Sequence, residues 1–267
     1  MKNSETAGTQ SIGRAASILR VIASAEGAGF GLGEIALQAG LEKPTTHRIL
    51  RRLVEESMLV QDPASRSYHL GPLLYELGLA AQPSIPARQW CAESLAELAR
   101  LSGDCAFLIG RSGYDSVCLD RHEGHFPIKT LVLGVGQRRP LGCGAGSIAL
   151  LSLLPDDTLR TLLDHNAERL KARGEPPTAD LLRTVQQARK RGFAIKDAPD
   201  LPVRTLSMPV VDHYGNGICA LSITSLTPRI EQRQDMLADI LRRITQDLSR
   251  RMRSSFTHES LLARYAV

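Results

Sequence analysis

Between Lys43 and Arg52 the chain places Lys43, Thr45, His47, Arg48, Arg51 and Arg52 without one acidic residue. Those side chains suit nucleic acid. Short hydroxyls and an imidazole reach base edges, while guanidinium and ammonium groups meet guanine edges and phosphates. A second set of small residues, Gly142-Cys143-Gly144-Ala145-Gly146-Ser147, lets backbone N–H groups at a helix start approach a ligand, and such a terminus favours an anion. It is not a nucleotide fingerprint, because neither G-x-x-x-x-G-K-[ST] nor a complete G-x-G-x-x-G after a buried strand is present. Catalysis has little to work with. Ser147 lacks a G-x-S-x-G elbow, and the one candidate cluster, His122-Glu123-Gly124-His125, contains a glycine and is followed by Pro127. That reads as a surface turn and not a zinc helix. No metal, no cofactor and no enzyme activity are expected. The five cysteines, Cys91, Cys105, Cys118, Cys143 and Cys219, are odd in number and never in C-x-x-C spacing, which fits buried reduced thiols.

The basic segment needs a scaffold, and the hydrophobic spacing supplies one. After a polar start, expected to be disordered over residues 1–10, Ala15, Ile18, Leu19 and Ile22 recur as the buried stripe of a helix. Leu32, Ile35, Ala36 and Ala39 repeat the stripe until Gly40 stops it, and Pro44 opens a third helix striped by Thr46, Ile49, Leu50 and Leu53. This is a helix-turn-helix. Thr45, His47, Arg48, Arg51 and Arg52 then project away from the core, and Thr46, although in the stripe, is counted with them among the DNA-contacting residues. Met58-Leu59-Val60 and Tyr68-His69-Leu70 bracket a turn rich in Asp, Pro and Ser and read as a wing hairpin. Its Arg66, Ser67 and Tyr68 are expected to reach the DNA backbone or minor groove. Three stripes, a tight turn and a hairpin turn a basic helix face from a solvated surface into a reading surface.

The winged helix-turn-helix spans 11–71, a linker helix 72–86 leads through Pro83 and Pro86, and a second domain fills 87–252, leaving 253–267 as a tail. That second domain mixes helices, at Trp90–Leu101, Ile148–Leu154, Leu159–Leu163, Leu181–Lys190 and from Leu237 on, with strands, at Cys105–Ile109, Ser116–Leu119, Thr205–Val211 and Ile218–Thr224. The fold class is α+β. A formal net charge of +5 permits a polyanionic partner. The longest apolar run falls far short of the roughly 20 residues a membrane span needs, and the N-terminus carries no apolar leader, so a cytoplasmic protein without a membrane partner is expected.

RAASIL, GLEKPTTHRIL and YHLG in the first domain, then GQRRPLGCGAGSIALL, ARKRGFAI and MPVVDHYGNGICALSIT in the second, resemble the IclR family of bacterial transcriptional regulators from Ser11 to about Met252. The resemblance implies a GAF-like effector domain that binds a small organic acid, often a carboxylate from aromatic or central carbon metabolism. It also implies a homodimer or homotetramer on palindromic double-stranded DNA. By family position Gly144 and Ala145 offer backbone contacts, Thr205, Ser222 and Thr224 offer hydroxyls, and Ile128, Leu131 and Val203 line the apolar wall. Without the family, Ser222 and Thr224 read as solvent-facing positions of a strand. Two departures stand out: a shortened Asp197-Ala198-Pro199-Asp200-Leu201-Pro202-Val203 segment, and Gly142-Cys143 where others place polar groups. Both remove polar contacts, so a less polar or bulkier acid is expected. The alternative is a DNA-binding protein whose second domain serves oligomerisation or partner recruitment without an effector.

Overall fold

The computed structural model describes residues 7–25, 28–81, 87–199, 201–212 and 215–255. The chain divides into two compact units, Met1–Ile85 and Pro86–Val267.

In the first unit, α1 (Ala7–Ala23), α2 (Leu32–Ala39) and α3 (Lys43–Glu55) are followed by the paired strands β1 (Leu59–Gln61) and β2 (Tyr68–Leu70) and by α4 (Pro72–Ala81). The apolar stripes converge on one core of Ile18, Ile22, Ile35, Leu50, Leu53, Leu59 and Tyr68. Each fully buried Ile or Leu there stabilises the unit by about 1.5–3 kcal/mol. Gly40 ends α2 in the left-handed conformation, φ 63°, which a side chain would strain; the chain then turns directly into α3. The expected disorder over 1–10 is corrected in part: Ala7-Gly8-Thr9-Gln10 contains no proline to stop the helix, and α1 begins at Ala7. Residues 1–6 lie outside the described residues. In α4 none of the residues is buried, and 82–86 of the expected linker lie outside the described residues.

The second unit holds α5 (Ala87–Ser102), β3 (Cys105–Ser112), β4 (Asp115–His122), β5 (Arg138–Pro140), α6 (Gly144–Leu151), α7 (Asp156–Lys171) and α8 (Thr178–Arg191). It continues with β6 (Ala194–Asp197), β7 (Val203–Val211), β8 (Gly217–Leu226), α9 (Thr227–Glu231) and α10 (Gln234–Ser255). The six strands form one antiparallel sheet in the order β5-β4-β3-β8-β7-β6. Period-2 alternation sorts its side chains. Ala106, Leu108, Leu221 and Ile223 join the layer of α5 and α10 on one face, and Cys105, Phe107, Ile109 and Ala220 join α6, α7 and α8 on the other. Spacing did not reveal β5, β6 or α9, which are too short to show a period. The last helix runs past residue 252 to Ser255; 256–267 lie outside the described residues.

Candidate functional site

On α3, Lys43, His47, Arg48, Arg51 and Arg52 are exposed and Thr45 is half-buried. Thr46 is corrected. It is 0% exposed, and its Oγ1 donates to the Glu42 carbonyl oxygen at 3.0 Å, so it belongs to the core stripe one turn before Leu50. The basic face also divides along its length. Arg51 Nε pairs with Glu55 at 3.0 Å, and Arg52 pairs with Glu55 at 3.4 Å and with Glu56. Lys43 and Arg48, toward the N-terminal end, form no ion pair among the described residues.

The wing turn is built by Asp62, whose carboxylate accepts from the N–H groups of Ala64 at 2.8 Å and Ser65 at 2.7 Å. Those bonds, led by Ser65, hold Asp62 below the usual carboxylate range. The turn leads into Arg66, held in a left-handed conformation, φ 60°, with the side chain exposed. Ser67 is half-buried, its Oγ within 2.7 Å of Ser65 Oγ and 2.9 Å of His69 Nε2. Tyr68 is corrected as well. Its backbone bridges to Phe30, N–H to carbonyl at 2.9 Å, and this draws the ring into the core at 5% exposure. Arg66, with Ser67 behind it, is what the wing offers.

In the second unit a cavity of about 100 Å³ opens between the start of α6 and the inner face of β7 and β8. Gly144, Ala145, Val203, Thr205, Ser222 and Thr224 all line it. The alternation that aims Ala220 at this face also aims Ser222 and Thr224, which are buried at 2% and 1% and not solvent-facing. Ser222 Oγ donates to Ser207 Oγ at 2.9 Å, and the Thr205 and Thr224 hydroxyls meet across the two strands at 2.9 Å. The N-cap of α6, Cys143, makes no side-chain capping bond, so the first-turn N–H groups of Gly144 and Ala145 keep their pull on an anion. Gly146 is required by close approach. A Cβ there would stand 2.7 Å from Ile109 Cγ1 and 3.2 Å from Ser222 Oγ, so glycine lets α6 sit against the sheet.

Ile128 and Leu131 are corrected: they are 52% and 42% exposed, and Val132 and Leu133 occupy the cavity wall instead. Thr130 Oγ1 donates to the Thr224 carbonyl oxygen at 2.8 Å, and Arg139 donates to that of Val132. These bonds anchor the irregular segment so that the residues after Leu131 turn inward. Arg139, Glu175, Lys196 and Asp197 also line the cavity. Lys196 Nζ donates to the Gly142 carbonyl oxygen at 2.9 Å and pairs with Glu175, their side chains 13% and 6% exposed. Asp197 is held below its usual range by Arg204, which pairs with Glu231 on its other side. Burial, with the Glu175 carboxylate adding to it, pushes the Cys143 thiol up to about 11, so this cysteine is neutral at physiological pH. Sequence reasoning missed Arg139, Glu175 and Lys196.

All five cysteines are buried and free. His122 closes β4, and the N–H of Gly124 donates to the Asp104 carbonyl oxygen at 3.1 Å in the loop that follows. Among the described residues no helix is long and apolar enough to cross a membrane.

Residues 11–63 match the family model of the IclR helix-turn-helix domain, and residues 81–250 match that of the bacterial transcriptional regulator IclR C-terminal domain. The glycerol operon regulatory protein of Streptomyces griseus is 31% identical over 226 residues, covering 83% of this chain and 86% of the relative. An IclR family transcriptional regulator from Brucella abortus shares the fold with a TM-score of 0.75 at 22% identity, over 96% of this chain and 95% of that one. An IclR homologue from Microbacterium hydrocarbonoxydans, solved in complex with 4-hydroxybenzoate, superposes with a TM-score of 0.65 at 19% identity, over 91% of this chain and 99% of that one.

Proposed function

The chain belongs to the IclR family of bacterial transcriptional regulators, and from that premise we propose that occupancy of the cavity under α6 by a small organic acid sets its affinity for an operator. On this reading residues 11–71 bind DNA, 72–86 link, and 87–252 carry the effector. Lys43, Thr45, His47 and Arg48 on α3 read the major groove while Arg66 braces the wing on the backbone. The operator is palindromic, is bound by a dimer or tetramer and controls a catabolic operon.

One observation carries the effector half: uncapped N–H groups of Gly144 and Ala145 converge with the Thr205, Ser222 and Thr224 hydroxyls on one cavity. The helix terminus suits a carboxylate and the hydroxyls suit the polar atoms of a short acid. The cavity measures about 100 Å³, smaller than the dry cavity of about 150 Å³ that accepts benzene, which favours a short acid. The 4-hydroxybenzoate bound by a structural neighbour is likewise a carboxylate carrying a hydroxyl.

Thermal unfolding of the full chain with a panel of short and aromatic carboxylic acids, joined to gel shifts on the operator, tests the proposal. At least one acid is expected to raise the transition and change operator affinity. Ser222→Ala and Thr224→Ala together should abolish both responses while the protein still unfolds cooperatively. If no acid moves the transition and operator affinity never changes, the second domain works without an effector and the proposal fails.

A further inference from the structure

The cavity is not uniformly cationic, and the way its charges are committed bears on what can enter. Lys196 does not offer its ammonium to the cavity as a lone charge: it is tied to Glu175 and to the Gly142 carbonyl oxygen, beside the start of α6. Asp197 is turned to Arg204. The seat at Gly144 and Ala145 takes one carboxylate, and the hydroxyls of Thr205, Ser222 and Thr224 answer neutral polar groups. Glu175 is 6% exposed at its side chain, so no bulk water screens it from a neighbour.

We propose that the Lys196–Glu175 pair is a charge filter, admitting effectors with a single negative charge and rejecting dicarboxylates and phosphate monoesters. This rests on the effector reading above and narrows it. In a cavity of about 100 Å³ a second anionic group on a bound acid falls close to Glu175. Of the two cations on the cavity wall, Lys196 is spent on Glu175 and Arg139 is held at the Val132 carbonyl oxygen. Like charges brought together where bulk water screens them little are strongly disfavoured. A hydroxyl or carbonyl in the same place meets no such penalty and gains hydrogen bonds from the strand hydroxyls.

The test compares butyrate and lactate with succinate and malonate, titrated calorimetrically into the full-length protein near neutral pH. The wild type is expected to bind the better monocarboxylate at least about tenfold more tightly than either dicarboxylate. Glu175→Gln keeps the shape and a hydrogen-bond acceptor but releases the Lys196 charge. It should narrow that preference by about tenfold or more, chiefly through a gain for the dicarboxylates. Two results overturn the filter alone: a wild type that binds succinate or malonate as tightly as the monocarboxylates, or a folded Glu175→Gln protein whose preference is unchanged. The first comparison needs no variant and stands even if Glu175→Gln does not fold. A wild type that binds none of the four acids overturns the filter, and the effector reading falls with it only if the wider panel of short and aromatic acids fails as well.

Discussion

Arg48 and Arg52 lie four residues apart on the exposed face of α3, yet they should not contribute equally to DNA binding. Arg52 is paired with Glu55 and Glu56, and Arg51 with Glu55. Each such exposed pair is worth about 0.3–0.5 kcal/mol, and the two carboxylates also repel an approaching phosphate. Arg48 carries neither burden and sits nearer the helix N-terminus, the end that reads base edges in this class of motif. If Arg48 contacts a base, Arg48→Ala should cost about 1–3 kcal/mol, roughly 5- to 150-fold in affinity, and relax preference at one position. If it contacts a phosphate instead, the slope of log affinity against log salt should fall by about 0.9, equivalent to about 3.5-fold between 50 and 200 mM salt. Arg52→Ala should cost less than Arg48→Ala on both measures. Converting Glu55 and Glu56 together to Gln should tighten non-specific binding by freeing Arg51 and Arg52. Fluorescence anisotropy on a duplex enriched from a random pool, repeated over a salt series, measures all four proteins. An Arg48→Ala protein with wild-type affinity and slope refutes the assignment, and so does an Arg52→Ala protein that loses as much.

Asp104 is fully buried at its side chain and accepts from Ser225 Oγ at 2.8 Å, Arg229 Nε at 2.7 Å and Arg233 Nη1 at 2.8 Å. Asp104→Asn leaves two guanidinium groups without their counter-ion. Removing one partner of a buried pair costs about 3–5 kcal/mol, and because both arginines are about a quarter exposed the loss in urea unfolding should be about 2–4 kcal/mol; a change under about 1 kcal/mol contradicts the network's role. Burial pushes the thiols of Cys118 and Cys143 up to about 11, from an ordinary value near 9. Below pH 9 both folded and unfolded states keep these protons and no difference arises. Between about 9 and about 11 the unfolded thiols ionise first, so stability should fall with rising pH across that window. Urea midpoints at either end measure the fall, and a Cys118→Ala, Cys143→Ala protein that falls as steeply shows that these two thiols are not its source.

The first unit was legible because its information is periodic and local. Three apolar stripes, Gly40 and Pro44 each act on the segment in which they stand, and they specify the helices and the turn without reference to distant residues. Thr46 and Tyr68 were misplaced where a polar or amphipathic side chain had to be assigned a face. The stripe gave the right face for Thr46, but its hydroxyl, satisfied one turn back at Glu42, looked like a hydroxyl available to DNA. Tyr68 is fixed by a bridge to Phe30, across a sequence separation no short window contains. The cavity follows the same division. Ser222 and Thr224 face it by strand alternation, a two-residue rule that a sequence displays; only the identity of what covers that face was hidden. Arg139, Glu175 and Lys196 reach it from β5, from the connection between α7 and α8, and from β6, three segments that the antiparallel order β5-β4-β3-β8-β7-β6 and the helices on its inner face bring together. Ile128 and Leu131 failed for the converse reason. Their segment has no period, so two hydrogen bonds, from Thr130 and from Arg139, decide which apolar side chains turn inward. What a sequence carries as a repeat survives folding unchanged, whereas the charge lining a site is set by which ends of distant elements meet; Arg139, Glu175 and Lys196 were therefore hidden while the strand that floors the cavity was not.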